Sequence, residues 1–324
     1  MKVVIWQAHH LESRAIVEGV ISIIKQALTG HDVVVTENKE VVLKEIADAD
    51  AMYCYRMTPG LLKAARHLKW IQFGSAGIDH TMFPELLESE IILTTMSGIH
   101  RVVVAEHAMA LMLALVRRLD ISAKLQANHS FDRSEMAATS EELFEKTVGI
   151  VGLGNIGIGI AGLAKAFGMR VIGTKRTPVE SLPNVDEIFP SDKLDEILRV
   201  SDFLVLAVPL TSATRALIGK DELALMKPDS YIINIARGAM IDHDALSEAL
   251  HGGVIRGAAL DVFPVEPLPS VSPIYDMPNT IITPHTAGSN PQYVERASAI
   301  FKKNLEAFLS GSEMINVYRK DIGY

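Results

Sequence analysis

Cysteine is nearly absent from this chain of 324 residues, in which Cys54 is the single example. A chain with one cysteine cannot form an internal disulfide, and such usage is typical of proteins from a reducing compartment. Cys54 stands in a predicted strand, which favours a small buried residue over a reactive nucleophile. The sequence therefore does not predict a disulfide-bonded secreted scaffold.

An excess of positive charge is also absent. The chain has 31 Lys and Arg residues against 39 Asp and Glu residues, a formal net charge of −8. This balance argues against a general nucleic-acid or anionic-membrane partner, because both attract basic surfaces. No group of His, Cys, Asp and Glu residues has the spacing of metal ligands, so we expect no metal site.

Long apolar runs are missing as well. The most apolar stretch, Val102–Val116, contains Glu106 and His107 and is too short to span a bilayer. The opening residues have the pattern of a β-strand, and no apolar signal-peptide core with a cleavage site follows them. We therefore expect a cytoplasmic protein, and its 48% hydrophobic and 22% charged residues predict a full buried core.

One glycine-rich segment lies between a strand pattern and a helix pattern. A strand is predicted at Val148–Val151, and Gly152, Gly154 and Gly157 follow it with the spacing G-x-G-x-x-G. In this context the first glycine permits a tight turn, and the second lets the backbone approach a pyrophosphate. The third lets the helix pack on the strand, and N–H groups at the helix start can bind phosphates. The segment therefore predicts a dinucleotide site.

Strand and helix patterns alternate along the whole chain. In the first hundred residues, strands are predicted at Val3–Trp6, Asp32–Thr36, Ala51–Tyr55, Trp70–Phe73 and Ile91–Thr94, with helices at Glu12–Leu28, Val41–Ala47 and Leu61–His67. Later strands are predicted at Val148–Val151, Arg170–Gly173, Phe203–Ala207, Tyr231–Ile235, Gly257–Leu260 and Thr280–Ile282, with helices between them. This alternation indicates right-handed βαβ crossovers and parallel sheets, and therefore a two-domain α/β protein.

The chain is predicted to cross between the two domains twice. It leaves the first unit near residues 96–98 and enters a long helix at Val102–Leu119. A second crossing is predicted at 283–288, after which the amphipathic tail Pro291–Leu309 returns to the first unit. We therefore predict a substrate-binding domain from residues 1–97 plus 287–324, and a dinucleotide-binding domain from residues 98–286.

The end of the predicted strand Arg170–Gly173 indicates the type of cofactor. NAD-binding units usually carry Asp or Glu roughly 20 residues beyond the glycines, where it binds the ribose 2′-hydroxyl. Here the strand continues into Lys175, Arg176 and Thr177 instead. A guanidinium can bind a 2′-phosphate, so we predict a preference for NADPH, with NADH still possible. The alternative is that the two cations form a solvated surface pair.

Three charged residues follow predicted strands of the second half, namely Arg237, Glu266 and His285. Ligands of open parallel sheets bind beyond the carboxyl ends of the strands, so we expect all three near one crevice. Arg can hold a carboxylate and polarise the adjacent carbonyl, and His can donate a proton to a developing alkoxide. Glu can orient the imidazole and stabilise its protonated form. These residue types suit the reduction of a 2-keto acid.

Taken together, these segments resemble the D-isomer-specific 2-hydroxyacid dehydrogenase family over nearly the whole chain. The segments that carry the resemblance are 74–79, 104–107, 152–157, 234–238, 261–267 and 284–288. The resemblance implies two Rossmann- or flavodoxin-like parallel-sheet domains with an active-site cleft between them. It also implies a homodimer formed through the long helix and the arm that follows it.

The resemblance implies a role for each matching residue. Arg237 would bind the substrate carboxylate and carbonyl, and His285 would be the acid/base with Glu266 as its partner. Asp261 would meet the nicotinamide carboxamide. The predicted substrate contacts are Arg56, Ser75, Ala76, Gly77, Arg237 and His285, although Arg56 could also be simply solvated. The predicted cofactor contacts are Gly152, Gly154, Asn155, Ile156, Gly157, Lys175, Arg176, Thr177, Val208, Pro209, Thr214, Ile235, Ala236, Asp261 and Ala287.

The basic residues near Lys175 also suggest a substrate class. An NAD-type member of the family would carry Asp at this position, and chains with basic loops resemble NADPH-dependent glyoxylate/hydroxypyruvate reductases. We therefore predict the reduction of a small 2-keto acid, such as glyoxylate, hydroxypyruvate or pyruvate, to the D-2-hydroxy acid. The alternatives are an NADH-dependent dehydrogenase for a bulkier 2-keto acid, and a dinucleotide-sensing binding protein on the same fold.

Further histidines have less specific interpretations. His107, on the apolar helix, is predicted to be a packed core residue and not a ligand. His9 and His10 follow the first strand and are expected to have a loop role. His100 and Arg101 lie at the predicted domain crossing, where they could contact the substrate.

Overall fold

The computed structural model describes residues 1–7 and 14–323, and the chain divides into two compact units. The first unit comprises Met1–His100 and Asn290–Tyr324, and the second comprises Arg101–Ser289. At each crossing the observed boundary lies a few residues later than the predicted one. The first unit is thus interrupted in sequence, and the second is continuous.

The helices and strands follow the chain in alternation. The first hundred residues contain β1 (Lys2–Trp6), α1 (Arg14–Ala27), β2 (Asp32–Thr36), α2 (Lys39–Glu45), β3 (Ala51–Cys54), α3 (Pro59–Ala64), β4 (Trp70–Phe73), α4 (Pro84–Glu88) and β5 (Ile92–Thr94). The second unit contains α5 (Arg101–Val116), α6 (Leu119–Ala127), α7 (Arg133–Thr139), β6 (Thr147–Val151), α8 (Asn155–Ala166), β7 (Arg170–Lys175), β8 (Glu187–Pro190), α9 (Leu194–Val200), β9 (Phe203–Leu206), α10 (Lys220–Leu225), β10 (Tyr231–Asn234), α11 (His243–His251), β11 (Gly257–Leu260) and β12 (Thr280–Ile282). The helix α12 (Tyr293–Ser310) belongs to the first unit.

The first unit is built on a five-stranded parallel sheet with the order β2-β1-β3-β4-β5. This is the flavodoxin-like order, in which helices cover both faces. Because successive side chains of a strand point to opposite faces, Ala51 and Tyr53 of β3 join one core, and Met52 and Cys54 join the other. Cys54 is fully buried as predicted, and its burial raises the pKa of the thiol to about 12.

The C-terminal segment completes the first unit. Phe301 of α12 stacks on Trp70 of β4 with ring centroids 5.6 Å apart. Beyond the helix, the backbone N–H of Tyr318 donates to the carbonyl of Leu93 at 2.8 Å. Residues from both ends of the chain therefore share one hydrophobic core.

The second unit is built on a seven-stranded parallel sheet with the order β12-β11-β10-β9-β6-β7-β8. The strand order reverses between β6 and β9, which makes their carboxyl ends the topological switch point of the sheet. In β9, Phe203 and Val205 pack into one core while Leu204 and Leu206 pack into the other. Two parallel-sheet α/β units are present, so the predicted fold class is confirmed.

The helix predicted at Val102–Leu119 is shorter in the structure. Helix α5 ends at Val116, and Arg118 has a left-handed backbone with φ of 52° before α6 begins. The Arg118 guanidinium donates to Asp120 and, at 3.3 Å, to Asn279. These contacts hold a turn that the apolar sequence pattern does not show.

Strand β8 is absent from the sequence prediction. It lies at the sheet edge beside β7 and ends at Pro190, which has no backbone N–H to donate. A short edge strand with a proline lacks the alternation that identifies a strand from sequence. Within the part of the chain that is described, no helix is long and apolar enough to cross a membrane.

Candidate active site

The candidate catalytic residues follow three neighbouring strands. Parallel strands β10, β11 and β12 end at the same level of the sheet. The segments that carry Arg237, Glu266 and His285 therefore all begin at one edge of the second unit. As the sequence predicted, the topology places these segments beside one another.

His285 and Glu266 form a direct pair. The Nδ1 atom of His285 lies 2.6 Å from Oε2 of Glu266. The other carboxylate oxygen accepts a hydrogen bond from the backbone N–H of Phe263 at 2.9 Å. Because a carboxylate only accepts, Nδ1 carries a proton, and Nε2 is the ring nitrogen available for proton exchange with a ligand. The His285 side chain is 38% exposed.

The backbone at His285 lies in the left-handed region, with φ of 53°. A non-glycine residue held in this region costs on the order of 1–3 kcal/mol and persists only where its surroundings impose it. Here the His285 N–H donates to the Asp261 carbonyl at 2.8 Å. The next two N–H groups, of Thr286 and Ala287, donate to the Asp261 carboxylate at 2.9 and 3.0 Å. Asp261 therefore fixes the turn that presents His285.

Asp261 is buried and accepts side-chain hydrogen bonds as well. The Thr283 hydroxyl donates to its Oδ1 at 2.6 Å, and Nε2 of His107 lies 3.5 Å from the same oxygen. Burial alone would raise the pKa of Asp261, but the hydrogen bonds from His107, Thr283 and two backbone N–H groups outweigh it and lower the pKa below its usual range. The group is therefore a carboxylate at neutral pH.

The prediction that His107 is a packed core residue is wrong. Its side chain is 21% exposed, and its Nε2 lies 3.0 Å from the Thr283 hydroxyl. Helix α5 is mostly apolar, so the sequence pattern alone grouped His107 with its apolar neighbours. His107 belongs to the hydrogen-bond network that supports Asp261.

Arg237 is presented by a turn that the strand end organises. Asn234 accepts from the N–H of Ala236 at 3.1 Å and donates to the carbonyl of Arg237 at 2.9 Å. The Arg237 guanidinium donates to the Ala236 carbonyl at 2.8 Å. A Cβ atom at Gly238 would overlap the backbone of Phe263. The Arg237 turn therefore packs directly on the segment that holds Glu266.

The glycine-rich turn follows β6 at the switch point. Gly152 has φ of 106°, and a Cβ there would lie 2.6 Å from Val208. Its N–H donates to the Thr174 hydroxyl at 3.1 Å. A Cβ at Gly157 would overlap the Gly152 carbonyl, whereas a Cβ at Gly154 would meet nothing within 4 Å. Within the described structure no side chain caps the start of α8, so a pyrophosphate fits against this turn.

Basic residues lie at the end of β7, next to that turn. The Lys175 ammonium donates to the carbonyl of Leu153, between the first two glycines, at 3.0 Å. Arg176 and Thr177 follow and are exposed. These residues fit a phosphorylated ribose beside the glycine turn, because they offer cationic and hydroxyl donors and no carboxylate.

The other predicted cofactor contacts lie along the same edge of the second unit. Thr214 donates to the carbonyl of Pro209 at 2.7 Å and so closes the loop after β9. Asn155 and Ile156 begin α8, whereas Ile235, Ala236 and Ala287 are buried beyond β10 and β12.

The predicted carboxylate-binding loop belongs to the first unit and follows β4. Its residues Ser75, Ala76 and Gly77 are half-buried. The Ser75 carbonyl accepts from the Met96 N–H at 3.0 Å, and the Tyr293 hydroxyl donates to the Gly74 carbonyl. A Cβ at Gly74 would lie 2.6 Å from the Tyr55 ring. Tyrosine side chains therefore support the loop from within the unit.

The remaining predicted substrate residues have less defined surroundings. Arg56 follows β3 and is exposed. The His100 ring lies 5.8 Å from the Tyr293 ring in the first unit, and Arg101 begins α5 in the second and is exposed. A substrate contact by these residues stays a prediction.

Two predictions concern other residues. His9 and His10 lie outside the described residues. Among the residues that are described, no group of three or more His, Cys, Asp and Glu side chains is arranged to hold a metal ion.

Sequence reasoning missed two residues behind the site. Thr283 bridges His107 and Asp261, and His243 contacts the carbonyl of Gly238 at 3.1 Å. Thr283 directly follows strand β12, and His243 is the first residue of helix α11. The sequence around each residue indicates only the end of a strand or the start of a helix. Their contacts depend on the packing of strands and helices, which local patterns do not specify.

Comparisons with known proteins show which family the chain resembles. The family described as "D-isomer specific 2-hydroxyacid dehydrogenase, NAD binding domain" matches residues 109–287. A glyoxylate reductase of Thermofilum pendens is 34% identical over 96% of this chain and 94% of its own length.

Solved structures show the same architecture. The NADPH-dependent glyoxylate/hydroxypyruvate reductase of Sinorhizobium meliloti has a TM-score of 0.85 at 28% identity, covering 100% of this chain and 99% of that one. An NAD-dependent formate dehydrogenase of Staphylococcus aureus has a TM-score of 0.77 at 28% identity, with 97% of both chains covered. The chain therefore belongs to the D-isomer-specific 2-hydroxyacid dehydrogenase family, enzymes that use a nicotinamide dinucleotide and act on CH–OH donors.

Proposed function

We propose that this enzyme catalyses the NADPH-dependent reduction of a small 2-keto acid to the D-2-hydroxy acid. The observation that carries the proposal is the His285–Glu266 pair, at 2.6 Å, on the same sheet edge as the Arg237 turn. This arrangement combines a proton donor with a cation that can bind a carboxylate.

Each residue of the trio has a defined chemical role. A nicotinamide dinucleotide held at the glycine turn of Gly152, Gly154 and Gly157 would supply a hydride for the keto carbon. Arg237 binds the substrate carboxylate and polarises the keto oxygen. His285 donates a proton from Nε2 to that oxygen as it becomes an alcohol, and Glu266 balances the charge of the imidazolium. The keto acid thus gains one hydride and one proton.

Further contacts are assigned by resemblance to the family. The backbone N–H groups of Ser75, Ala76 and Gly77 hold the substrate carboxylate, and Arg56 provides a further cation. In the second unit Asp261 meets the nicotinamide carboxamide in addition to fixing the His285 turn. Its low pKa supports this role, because an ionised Asp261 accepts a hydrogen bond from an amide.

A preference for NADPH is supported by the end of β7. Residues 174–177 include no carboxylate that would repel a 2′-phosphate, and Lys175, Arg176 and Thr177 supply cations and a hydroxyl. One structural relative is NADPH-dependent, while another is NAD-dependent. The ratio of kcat/KM with NADPH to kcat/KM with NADH therefore tests whether Lys175, Arg176 and Thr177 bind the 2′-phosphate.

The substrate and the cofactor are tested in one experiment. Initial rates are measured with NADPH and with NADH against glyoxylate, hydroxypyruvate, pyruvate, 2-ketobutyrate and phenylpyruvate. We expect NADPH oxidation with the smallest keto acids, in line with the glyoxylate reductase relatives. Turnover of phenylpyruvate with NADH would favour the dehydrogenase for bulkier acids. Tight dinucleotide binding without any turnover would favour the sensing protein.

We further propose a cytoplasmic homodimer, which the resemblance implies. Exposed apolar side chains after α5 support an interface, since Leu119 is half-exposed and Phe131 is 96% exposed. Light scattering coupled to size-exclusion chromatography is expected to give twice the mass of one chain. A monomer at micromolar concentration would contradict this proposal.

A further inference from the structure

A histidine lies behind the Arg237 turn, at the first position of α11. The preceding residue, Asp242, uses its carboxylate to cap the helix and accepts from the N–H groups of Asp244 and Ala245, both at 3.1 Å. The His243 ring points instead to the Gly238 carbonyl, with Nε2 at 3.1 Å. His243 therefore contacts the residue that directly follows Arg237.

The hydrogen-bond partners of His243 define its tautomer. A carbonyl only accepts, so Nε2 carries the proton in this contact. The Nδ1 atom is buried and has no hydrogen-bond partner among the described residues. Burial lowers the pKa of His243, although the Gly238 carbonyl and the carboxylates of Asp242 and Asp244 act in the opposite direction. At neutral pH the ring is thus an uncharged donor.

The Gly238 carbonyl lies where the Arg237 turn packs on the segment that holds Glu266. On one side the glycine packs so closely on Phe263 that no Cβ would fit. The N–H of Phe263 in turn donates to Glu266, which holds His285. On the other side only a short 3₁₀ turn follows, in which the Ile241 N–H donates to the same carbonyl at 3.2 Å. His243 is the side chain that fixes this peptide from α11.

We propose that His243 is a positioning residue for Arg237, a role that rests on the function proposed above. Its Nε2–H fixes the Gly238 carbonyl, and this fixes the guanidinium in relation to the Glu266–His285 pair. His243 does not need to touch the substrate. Its loss is therefore expected to weaken binding of the keto acid and to leave dinucleotide binding unchanged.

Two substitutions separate the hydrogen bond from the volume of the ring. His243→Leu fills similar space without a donor, whereas His243→Gln keeps an uncharged N–H donor. Loss of one hydrogen bond of ordinary strength predicts that H243L raises the KM of the keto acid about three- to tenfold. The dissociation constant of NADPH, measured by fluorescence titration, should stay within about twofold of the unaltered enzyme. H243Q should restore most of the lost affinity.

Two controls distinguish positioning from general destabilisation. Leu246→Ala removes a buried side chain of the same helix and should lower Tm without changing KM. In an Arg237→Ala background, H243L should add little further loss, because its effect passes through the guanidinium. An unchanged KM in H243L, equal damage in H243Q, or a full additional loss in the Arg237→Ala background would each overturn the proposal.

The outcomes also separate this role from the function on which it depends. If the unaltered enzyme reduces a keto acid normally and H243L does so equally well, only the role of His243 is wrong. If the unaltered enzyme reduces none of the keto acids, the proposed function fails, and the positioning role fails with it.

Discussion

Glu266 uses its two carboxylate oxygens for two different partners. One accepts from the Phe263 backbone and the other pairs with His285. An amide has a single acceptor oxygen and cannot serve both donors. The carboxylate supplies both the negative charge and the second acceptor, so we expect Gln to be a poor substitute here.

For this reason we expect Glu266→Gln to lower kcat/KM for the keto acid by on the order of tenfold or more. The amide carries no negative charge beside the His285 ring, and it loses one of the two acceptor oxygens that Glu266 uses. Initial rates at a fixed pH of 7 measure the loss. Glu248→Gln, at an exposed position of α11, is the control and should leave kcat/KM unchanged. An unchanged kcat/KM in Glu266→Gln would contradict the pairing.

Position 237 is expected to require a guanidinium. Arg237→Ala should lower kcat/KM for the keto acid by on the order of 10²-fold or more. Arg237→Lys should recover little, because an ammonium lacks the planar fork that binds a carboxylate through two hydrogen bonds. Arg170→Lys, at an exposed position that begins β7, should have no effect. Near-normal kinetics in Arg237→Ala would remove this residue from the proposed mechanism.

At the scale of elements, the turn after β10 packs on the segment after β11 without free space between Gly238 and Phe263. Gly238→Ala would place a methyl group into the backbone of Phe263, so we expect a lower Tm and a loss of activity of at least about tenfold. Gly60→Ala in α3 meets open space and should stabilise the protein slightly, by about 0.5–1 kcal/mol. Unchanged activity in Gly238→Ala would show that the two segments can separate without cost.

The end of β7 is expected to decide between the two dinucleotides. Lys175→Asp combined with Arg176→Ala removes both cations and the ammonium bond to the Leu153 carbonyl. We expect the ratio of kcat/KM for NADPH to that for NADH to fall at least about tenfold. Lys165→Ala, which breaks an exposed ion pair elsewhere in this unit, should leave the ratio unchanged. The same ratio in the double variant would mean that another segment reads the phosphate.

How far the sequence predicted these elements depended on the strength of the local pattern. The apolar run of β9 and the glycine turn after β6 are local patterns, and both were located to within about one residue. The left-handed Arg118 was not, because its conformation depends on contacts that include Asn279, far along the chain. The common edge of the segments that carry Arg237, Glu266 and His285 follows from the rule that neighbouring parallel strands end at one edge. The contact of His107 with Thr283, which supports Asp261, could not be predicted in this way, because the two residues lie on different elements.

At the scale of the whole molecule, buried titratable groups make stability depend on pH. Burial lowers the pKa of His243 below its ordinary value of about 6.5, so the unfolded chain takes up its proton first as pH falls. Stability is therefore complete above that ordinary value and declines as pH falls toward the lowered one. The depressed pKa of Asp261 acts in a separate window, in which stability is lost as pH falls below about 4.

We expect His243→Gln to remove part of this dependence. The free energy of unfolding, measured with urea at several pH values from 7.5 to 5, should decline less steeply in H243Q than in the unaltered enzyme. Asp242 retains its capping role in the variant, so the helix start is preserved. Parallel curves for the two proteins would show that His243 does not titrate differently in the folded state.

The interrupted first unit has a consequence for the order of events on the ribosome. Residues 101–289 form a continuous unit and can fold as soon as they leave the exit tunnel. Until residues 290–323 have also emerged, Trp70 and its neighbours lack Phe301 and the rest of α12 as a cover. During this interval the apolar face of the first sheet is open to chaperones and to other nascent chains. The first unit, which the second unit interrupts in sequence, therefore completes its fold only after the second unit has emerged.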